Sequence, residues 1–178
     1  MSKQNYPIYQ TERGYLTETT REKYITKAVA SKLLPKDAHR MPEILSLKAS
    51  NNMKKPIQFW QLYSVLGQDP IVGIVSGFYS RVFADEKWFR TPFARVGDVN
   101  HHIGTQASMW LDVMGGGPYY HGAEYRLNFH HTHNAHMLLD EKGARRWAKL
   151  MVQALDSSQH LMTDDPRVRL SINTFLAH

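Results

Sequence analysis

Three features of this sequence predict an all-α fold. Apolar residues recur every three or four positions along several segments, and no segment alternates polar and apolar residues for long enough to form a sheet. Proline, glycine and acidic residues stand at the ends of these segments, where helices usually begin and end. The 178 residues, 42% of them hydrophobic, are enough for a folded protein with its own core.

The first 55 residues predict a basic, partly helical N-terminal extension. They contain eleven Lys and Arg residues against five Asp and Glu, whereas residues 56–178 contain eleven of each, so the net charge of +6 arises in the extension. A helix is predicted over 20–34, with one apolar face and Pro35 as its stop, and a shorter one over "PEILSLKA". The apolar face of the first helix consists of Ile25, Ala28, Val29 and Leu33. The polar stretch "NNMKKP" predicts the boundary between residues 1–55 and a domain of residues 56–178.

Five further helical segments are predicted in the domain. They are "PIQFWQLYSVLG", "PIVGIVSGFYSRVF", residues 98–114, residues 140–155 and residues 163–176. Gly115, Gly116 and Gly117 end the third of these, because glycine readily adopts the left-handed conformation that closes a helix. On the fourth, Trp147, Met151 and Leu155 fall on one apolar face together with Leu150 and Ala154.

Composition excludes several classes of protein. The chain has no cysteine, which rules out disulfides, Cys-based zinc sites and thiolate catalysis and suits a reducing compartment. No apolar run could span a bilayer, and the first twenty residues lack the apolar block of a signal peptide. No nucleic-acid-binding motif accompanies the basic extension, which we interpret as a solubilising segment. We therefore expect a soluble, cytoplasmic protein without a nucleic-acid or membrane partner.

The stretch "LNFHHTHNAHMLLD" is the clearest candidate site, because it holds four histidines within seven positions. His131, His133 and His136 are close to the histidine motif of the metallo-β-lactamase superfamily, which predicts a zinc hydrolase. Ala135 stands where that motif requires an aspartate, so a ligand of the second metal is missing. Solvated histidines in a polar connection are a further interpretation, and the one we prefer for His121 and His130.

Haem binding is the third interpretation of the same stretch. It requires a neutral imidazole, an apolar slot and a second helix facing the other side of the iron. His102 and Gln106 lie one turn apart on the predicted helix 98–114, on the face that also carries Met109 and Trp110. Phe129 precedes His133 by about one turn, and Trp147 begins the helix that follows.

The region from about residue 59 to residue 155 resembles the truncated haemoglobins of group II, the two-over-two helical globins. The matching stretches are "GFYSRVF", "TPF", "MWLDVMGGGPYYHG" and "RRWAKLMVQAL". The resemblance rests on their combination: a Phe-Tyr pair, a Gly-Gly pair closing a helix, a histidine, and a tryptophan early on a later helix. It implies a globin-like, two-over-two helical sandwich around haem b (iron protoporphyrin IX), preceded here by the helical N-terminal extension.

The resemblance also implies roles for particular residues. Tyr79 matches the tyrosine that points its hydroxyl at bound ligand, and Phe93 the aromatic residue that wedges against the haem. His102 and Gln106 match the two ligand-facing positions of the E helix. Trp147 matches the tryptophan whose indole N–H borders the distal pocket. Trp110 and Phe129 are expected as further haem contacts.

The iron ligand implied by the family's spacing is His133. Counted from the glycine pair and Tyr120, the spacing reaches this residue without a gap, and counted back from Trp147 it needs one inserted residue. His131 and His136 are the alternatives, and each requires larger shifts on both sides. His102 is a candidate second iron ligand when no gas is bound.

The function implied is the binding of dioxygen, carbon monoxide or nitric oxide. Storage, transport, sensing, nitric oxide dioxygenase activity and peroxidase-like chemistry remain open, because the same hydrogen-bond donors serve all of them. A reductase is a candidate partner, and the expected state is a monomer or homodimer. The zinc hydrolase is the alternative function.

Overall fold

The computed structural model describes residues 9–120 and 140–178. Within these residues the chain forms eight α-helices and no strand, which confirms the all-α class. Short 3₁₀ turns stand at Ala38–Arg40, Phe59–Gln61 and Gln159–Leu161. The helices are α1 Thr17–Ala30, α2 Pro42–Leu45, α3 Tyr63–Leu66, α4 Gln68–Phe83, α5 Lys87–Ala94, α6 Val99–Val113, α7 Glu141–Ser157 and α8 Pro166–Ala177.

Three of these helices begin at an aspartate side chain that caps the first turn. Asp98 accepts a hydrogen bond from the backbone N–H of His101 at 2.8 Å, and Asp140 accepts one from Gly143 at 2.7 Å. Asp165 does the same for α8, where Pro166 occupies the first helical position. A capping carboxylate satisfies a backbone donor that the helix itself leaves without a partner, and its charge complements the helix dipole. The predicted starts of these three helices are confirmed to within about three residues.

The end of α6 requires a glycine. Gly115 has a φ of 93°, which is in the left-handed region. A Cβ atom at this position would lie 2.4 Å from the carbonyl oxygen of Trp60, so a larger residue would clash with backbone. The prediction that the glycine run ends this helix is confirmed.

Helix α4 is the centre of the fold, because it packs against both α6 and α7. Its buried side chains lie at three- and four-residue spacing, as an amphipathic helix requires. They are Ile71, Ile74, Val75, Phe78, Tyr79 and Val82. Through this helix the fold brings the predicted ligand-facing residues of α4, α6 and α7 towards one another.

Three predicted helices are corrected by the structure, and one observed helix was not predicted. The first helix spans Thr17–Ala30 and not 20–34, and Leu33, predicted on its apolar face, is 45% exposed because Lys32 turns the chain with a φ of 61°. The segment "PEILSLKA" forms only the single turn of α2, and "PIQFWQLYSVLG" is divided between a 3₁₀ turn and α3. Helix α5 was not predicted, because Pro92 within it argues against a helix.

The described part of the extension shares one core with the rest of the chain. The ring of Tyr24 stacks on Phe175 of α8 at 5.3 Å and meets Trp60 edge to face at 5.6 Å. The indole N–H of Trp60 donates to the carbonyl oxygen of Ile44 at 2.7 Å. The extension therefore covers aromatic side chains that would otherwise face solvent.

Two buried charged residues fasten the extension to the core. The carboxylate of Asp112, on α6, accepts hydrogen bonds from the backbone N–H groups of Tyr15 and Leu16 at 2.8 and 2.9 Å, and from the hydroxyl of Thr17 at 3.2 Å. On α8, one guanidinium nitrogen of Arg167 donates to three backbone carbonyls, those of Ser50, Asn52 and Lys55, each at 2.9 Å. The remaining nitrogens of Arg167 bind Asp165.

Candidate ligand cavity

A cavity of about 790 Å³ lies among α4, α5, α6 and α7 and reaches α1 and α8. Five of the predicted site residues form part of its wall: Tyr79, Phe93, Gln106, Trp110 and Trp147. Most of the other wall residues are aliphatic or aromatic. They include Phe59, Val75, Phe78, Phe89, Met109, Val113, Met151, Leu155, Phe175 and Leu176. The cavity is therefore mainly apolar, with a few polar groups at defined places in its wall.

Tyr79 brings a hydroxyl group to this wall. The residue is only 6% exposed, and its ring meets the rings of Phe78 and Phe93 edge to face at 5.0 and 6.1 Å. Within the described part of the chain its hydroxyl has no hydrogen-bond partner. Burial raises the pKa of the Tyr79 hydroxyl far above its usual range, so the group stays protonated and can donate.

His102 supports Tyr79 and does not itself form part of the wall. Its imidazole is 3% exposed, stacks on the Tyr79 ring at 5.3 Å, and lies with Nε2 2.8 Å from the carbonyl oxygen of Phe93. Burial lowers the pKa of His102, so the ring is neutral and Nε2 carries the proton that it donates to this carbonyl. Its predicted contact with ligand or iron stays a prediction, and would require this hydrogen bond to break.

Helices α6 and α7 supply the other polar groups of the wall. Gln106 and Trp110 lie one turn apart on α6, and Trp147 of α7 approaches the ring of Phe78 at 5.2 Å. The amide of Gln106 and both indole N–H groups lack hydrogen-bond partners among the described residues. Gly143, Ala144 and Ala148 of α7 also belong to the wall, and their small side chains leave space beside Trp147.

An ion pair joins the end of α4 to the start of α7. Arg146 contacts both carboxylate oxygens of Asp85, with 2.7 Å between its Nε and Oδ2. These hydrogen bonds from Arg146 hold the pKa of Asp85 below its usual range. Lys142 also lies 4.0 Å from the centre of the Trp88 ring, close enough for a cation–π contact. These contacts fix the first turns of α7, on which Trp147 stands.

Several predicted site residues lie outside the described residues. They are His133, its alternatives His131 and His136, and Phe129, together with His121 and His130. Among residues 9–120 and 140–178, no group of three metal-binding side chains comes together. In the same residues no helix is long and apolar enough to cross a membrane.

Sequence reasoning missed two sets of residues at this site. The first set, Leu16, Thr20, Phe175 and Leu176, brings the extension and the last helix into the cavity wall. No local signal identifies Leu16 and Thr20, because their position depends on how α1 packs against α6. The second set is the Asp85–Arg146 ion pair, whose partners are 61 positions apart in sequence.

Comparisons with known proteins agree with this arrangement. A family model described as "Bacterial-like globin" matches residues 61–178. The chain is also 32% identical to a protein named "Group 2 truncated hemoglobin 3-1" from Lotus japonicus, over 110 residues. That match spans 61% of this chain and 64% of the relative, so less than two thirds of the relative's length is covered. No solved structure matches the chain.

These matches confirm the predicted globin-like fold and the resemblance to group II truncated haemoglobins, and they give no support to the zinc hydrolase. A globin is a haem protein that takes small gas molecules as ligands, which agrees with a large apolar cavity that has a few hydrogen-bond donors in its wall. The chain belongs to the bacterial-like globin family.

Proposed function

We propose that this globin holds haem b in the cavity with His133 as the iron ligand, and binds dioxygen, carbon monoxide or nitric oxide beside Tyr79. When bound, the haem supplies an iron that coordinates such gases. The observation that carries the proposal is the Tyr79 hydroxyl, which stands at the wall of a mainly apolar cavity and makes no hydrogen bond with the described residues. A hydroxyl at an apolar cavity wall that makes no hydrogen bond with those residues is available to donate to a ligand.

The cavity fits such a cofactor. Its volume of about 790 Å³ falls within the range of protein cofactor sites, roughly 300–1,000 Å³. The wall combines aromatic and aliphatic side chains with the donors of Tyr79, Gln106 and Trp147. An apolar porphyrin that carries a small polar ligand at its centre needs an apolar cavity with a few hydrogen-bond donors in its wall.

The side chains of this protein would then control the rate at which a bound gas dissociates. The Tyr79 hydroxyl donates at any physiological pH, because burial raises its pKa. His102 keeps the tyrosine ring in place by stacking on it, and is itself held by the Phe93 carbonyl. A single hydrogen bond of about 1 kcal/mol slows escape of the gas by roughly fivefold, so two or three donors favour slow release.

The first experiment tests the iron ligand. Hemin is titrated into purified protein, and the Soret band and the spectra of the ferric, ferrous and carbon monoxide-bound forms are recorded. We expect His133→Ala to lose the ferrous spectrum of a histidine-ligated haem. The matched controls are His131→Ala and His136→Ala, which should keep it. A wild-type protein that takes up no hemin, or a His133→Ala variant with an unchanged ferrous spectrum, contradicts the proposal.

The second experiment tests the donor. Tyr79→Phe removes one hydroxyl, so we expect dioxygen to dissociate several-fold to about tenfold faster, as measured by stopped-flow replacement with carbon monoxide. The matched control is Tyr119→Phe, because Tyr119 is 48% exposed and is not part of the cavity wall. Equal dissociation rates in wild type and Tyr79→Phe would show that this hydroxyl does not reach the gas.

A further inference from the structure

A basic lobe of the N-terminal extension follows the end of α1. The chain folds back on this helix, since the backbone N–H of Leu33 donates to the carbonyl oxygen of Ala28 at 2.8 Å. The 3₁₀ turn Ala38–Arg40 then packs against α1, and the fully buried Ala38 anchors it there. We call residues 27–40 the basic lobe.

The charged side chains of the basic lobe are exposed. The lobe carries four cations, Lys27, Lys32, Lys36 and Arg40, against one carboxylate, that of Asp37. Among residues 9–120 and 140–178, none of these side chains forms an ion pair, whereas four arginines of α7 and α8 each pair with a carboxylate. The positive charge of the lobe is therefore available to a partner from outside the described chain.

Leu33 gives the basic lobe an apolar centre. It follows the left-handed turn at Lys32 and is 45% exposed. An exposed apolar side chain among charged groups has the composition of a protein interface, in which a polar rim surrounds an apolar core. Cations at such a rim favour an acidic partner and speed its approach by long-range attraction. A single leucine is a small anchor for a lipid bilayer, so the composition favours a protein partner.

A line of side chains connects the basic lobe with the cavity. Its members are, in order, Ser31, His178, Tyr24, Phe175, Phe59 and Trp110. The hydroxyl oxygen of Ser31 lies 3.5 Å from Nε2 of His178, and successive rings from His178 to Trp110 lie 3.8 to 6.2 Å apart, centre to centre. The last three rings belong to the cavity wall. Electron tunnelling weakens steeply with distance and across gaps, so these packed rings are a favourable path from the surface to the cavity.

We propose that the basic lobe is the docking surface for an acidic electron-donor protein, which reduces the haem iron along this line of rings. The inference rests on the proposed function, because dioxygen binds ferrous iron and iron that has become ferric must be reduced again. The chain has no cysteine, so no dithiol of its own can supply the electron. With a flavoprotein donor, one electron leaves the anionic hydroquinone of the flavin, which becomes a neutral radical, and ferric iron becomes ferrous without transfer of a proton. This role goes beyond the solubilising one that composition indicates.

Binding of flavodoxin, a small acidic flavoprotein, tests the docking surface without haem chemistry. The haem-free full-length chain is titrated with flavodoxin in a calorimeter at low and at high salt. We expect Lys32→Glu/Lys36→Glu to bind about tenfold more weakly at low salt, and the difference to shrink at high salt because ions screen exposed charges.

The matched control for this variant is Lys87→Glu/Lys149→Glu. It makes the same change in net charge at two exposed residues, one on α5 and one on α7, and should bind flavodoxin within about twofold of wild type. Equal weakening in the two double variants, or no measurable binding by wild type, would overturn the docking surface.

Phosphatidylglycerol vesicles and a DNA duplex are two further anionic ligands for the basic lobe. At physiological ionic strength we expect both to bind more weakly than flavodoxin. Tighter binding of either one, lost in Lys32→Glu/Lys36→Glu, would assign the lobe to a membrane surface or to nucleic acid and overturn the proposal.

Reduction kinetics test the route. Ferric haem-loaded protein is mixed with reduced flavodoxin under carbon monoxide, and the spectrum of the ferrous carbon monoxide form is followed. We expect the second-order rate to fall about tenfold in Lys32→Glu/Lys36→Glu and to stay near wild type in the control. Tyr24→Leu interrupts the line of rings and should slow the limiting rate at saturating flavodoxin several-fold, with unchanged affinity, whereas Tyr24→Phe keeps the ring and the rate. An unchanged second-order rate in the lysine variant, or an unchanged limiting rate in Tyr24→Leu, would overturn the route.

The two proposals fail in different ways. A protein that takes up no hemin but binds flavodoxin through the basic lobe contradicts haem binding and supports the docking surface. A protein with a normal Soret band that binds dioxygen but does not bind flavodoxin supports haem binding and overturns the basic lobe as the site of electron entry.

Discussion

Two regions beside α6 differ in whether their polar groups find partners within the protein. At the C-terminal end of α6, the carboxylate of Asp112 is fully buried and receives three hydrogen bonds from the first residues of α1 and those just before it. At the wall of the cavity that α6 borders, Tyr79 of α4 is a buried residue whose hydroxyl makes no hydrogen bond with the described residues. In the first region the carboxylate is hydrogen-bonded within the protein, whereas in the second the hydroxyl can donate to a bound ligand.

The difference separates structural from ligand-binding polar groups. A buried group whose hydrogen bonds are satisfied stabilises the fold, while an unsatisfied one at the wall of a cavity is available to a ligand. A ligand-binding group must both lack a partner within the protein and lie at the wall of a cavity. Ser171 of α8 has a buried hydroxyl without a partner in the described part of the chain, but it does not belong to the cavity wall, and no ligand role follows from it.

The largest expected effect concerns Arg167, which fastens residues 50–55 to α8. Arg167→Met removes three hydrogen bonds to backbone carbonyls and the guanidinium that neutralises buried Asp165. We expect a loss of about 4 kcal/mol in the free energy of unfolding, measured by denaturant titration.

The matched control for this variant is Arg169→Met on the same helix. Its guanidinium pairs with Asp156, which is 62% exposed, so the loss should be below about 1 kcal/mol. Similar losses for the two variants would show that the carbonyl contacts of Arg167 do not fasten the extension.

The next effect concerns Asp112. Asp112→Ala leaves the N–H groups of Tyr15 and Leu16 without their acceptor, whereas the hydroxyl of Thr17 keeps its hydrogen bond to the backbone carbonyl of residue 112. We expect the variant to cost about 3 kcal/mol of unfolding free energy. Asp112→Asn keeps the shape and one acceptor oxygen, so it should cost less than the alanine variant. If both variants unfold at the wild-type denaturant concentration, the contact between α1 and α6 is not a stabilising one.

The sequence predicted the position of a side chain correctly where that position depends on the periodicity of a single helix. Trp147, Met151 and Leu155 repeat every four residues on α7, and all three belong to the cavity wall. Tyr79 and Phe93 were likewise predicted, from the resemblance, and both are part of that wall. Such patterns are local, because helical periodicity and short motifs do not depend on the rest of the chain.

Contacts between distant segments left no comparable signal. Asp112 stands in an apolar stretch of α6, and its burial follows only from the approach of α1, 95 to 97 positions earlier. The position of Leu16 and Thr20 at the cavity wall depends on the same approach. Helix α5 was missed for a different reason, since Pro92 is unfavourable within a helix and tertiary packing of Phe89 and Phe93 outweighs this cost.

A smaller effect compares one hydroxyl from each region. Thr17→Val removes a group that donates to the Asp112 carbonyl at 2.7 Å and accepts from the N–H of Gly14 at 2.9 Å, so we expect a loss of about 1.5 kcal/mol. Tyr79→Phe removes no hydrogen bond that the described chain makes, so unfolding of the haem-free protein should change by less than about 0.5 kcal/mol. A stability loss in Tyr79→Phe equal to that in Thr17→Val would remove the distinction between the two regions.

The smallest effect is a difference in pH dependence between two carboxyl groups. The hydrogen bonds from Arg146 hold the pKa of Asp85 low, so its stabilising contribution is full above the ordinary carboxyl pKa of about 4 and is lost as the pH falls through the lower folded value. Burial raises the pKa of Asp112 despite its hydrogen bonds, so the folded state gains stability relative to the unfolded state as the pH falls towards 4.

The variants Asp85→Asn and Asp112→Asn test this difference, because neither can titrate at the substituted position. We therefore expect the stability advantage of wild type over Asp85→Asn to shrink as the pH falls from 7 to 3, and that over Asp112→Asn to grow between pH 7 and about 4, in denaturant titrations at each pH. Parallel pH profiles for the two variants would mean that the hydrogen bonds to Asp112 outweigh the effect of its burial, as the hydrogen bonds from Arg146 do for Asp85.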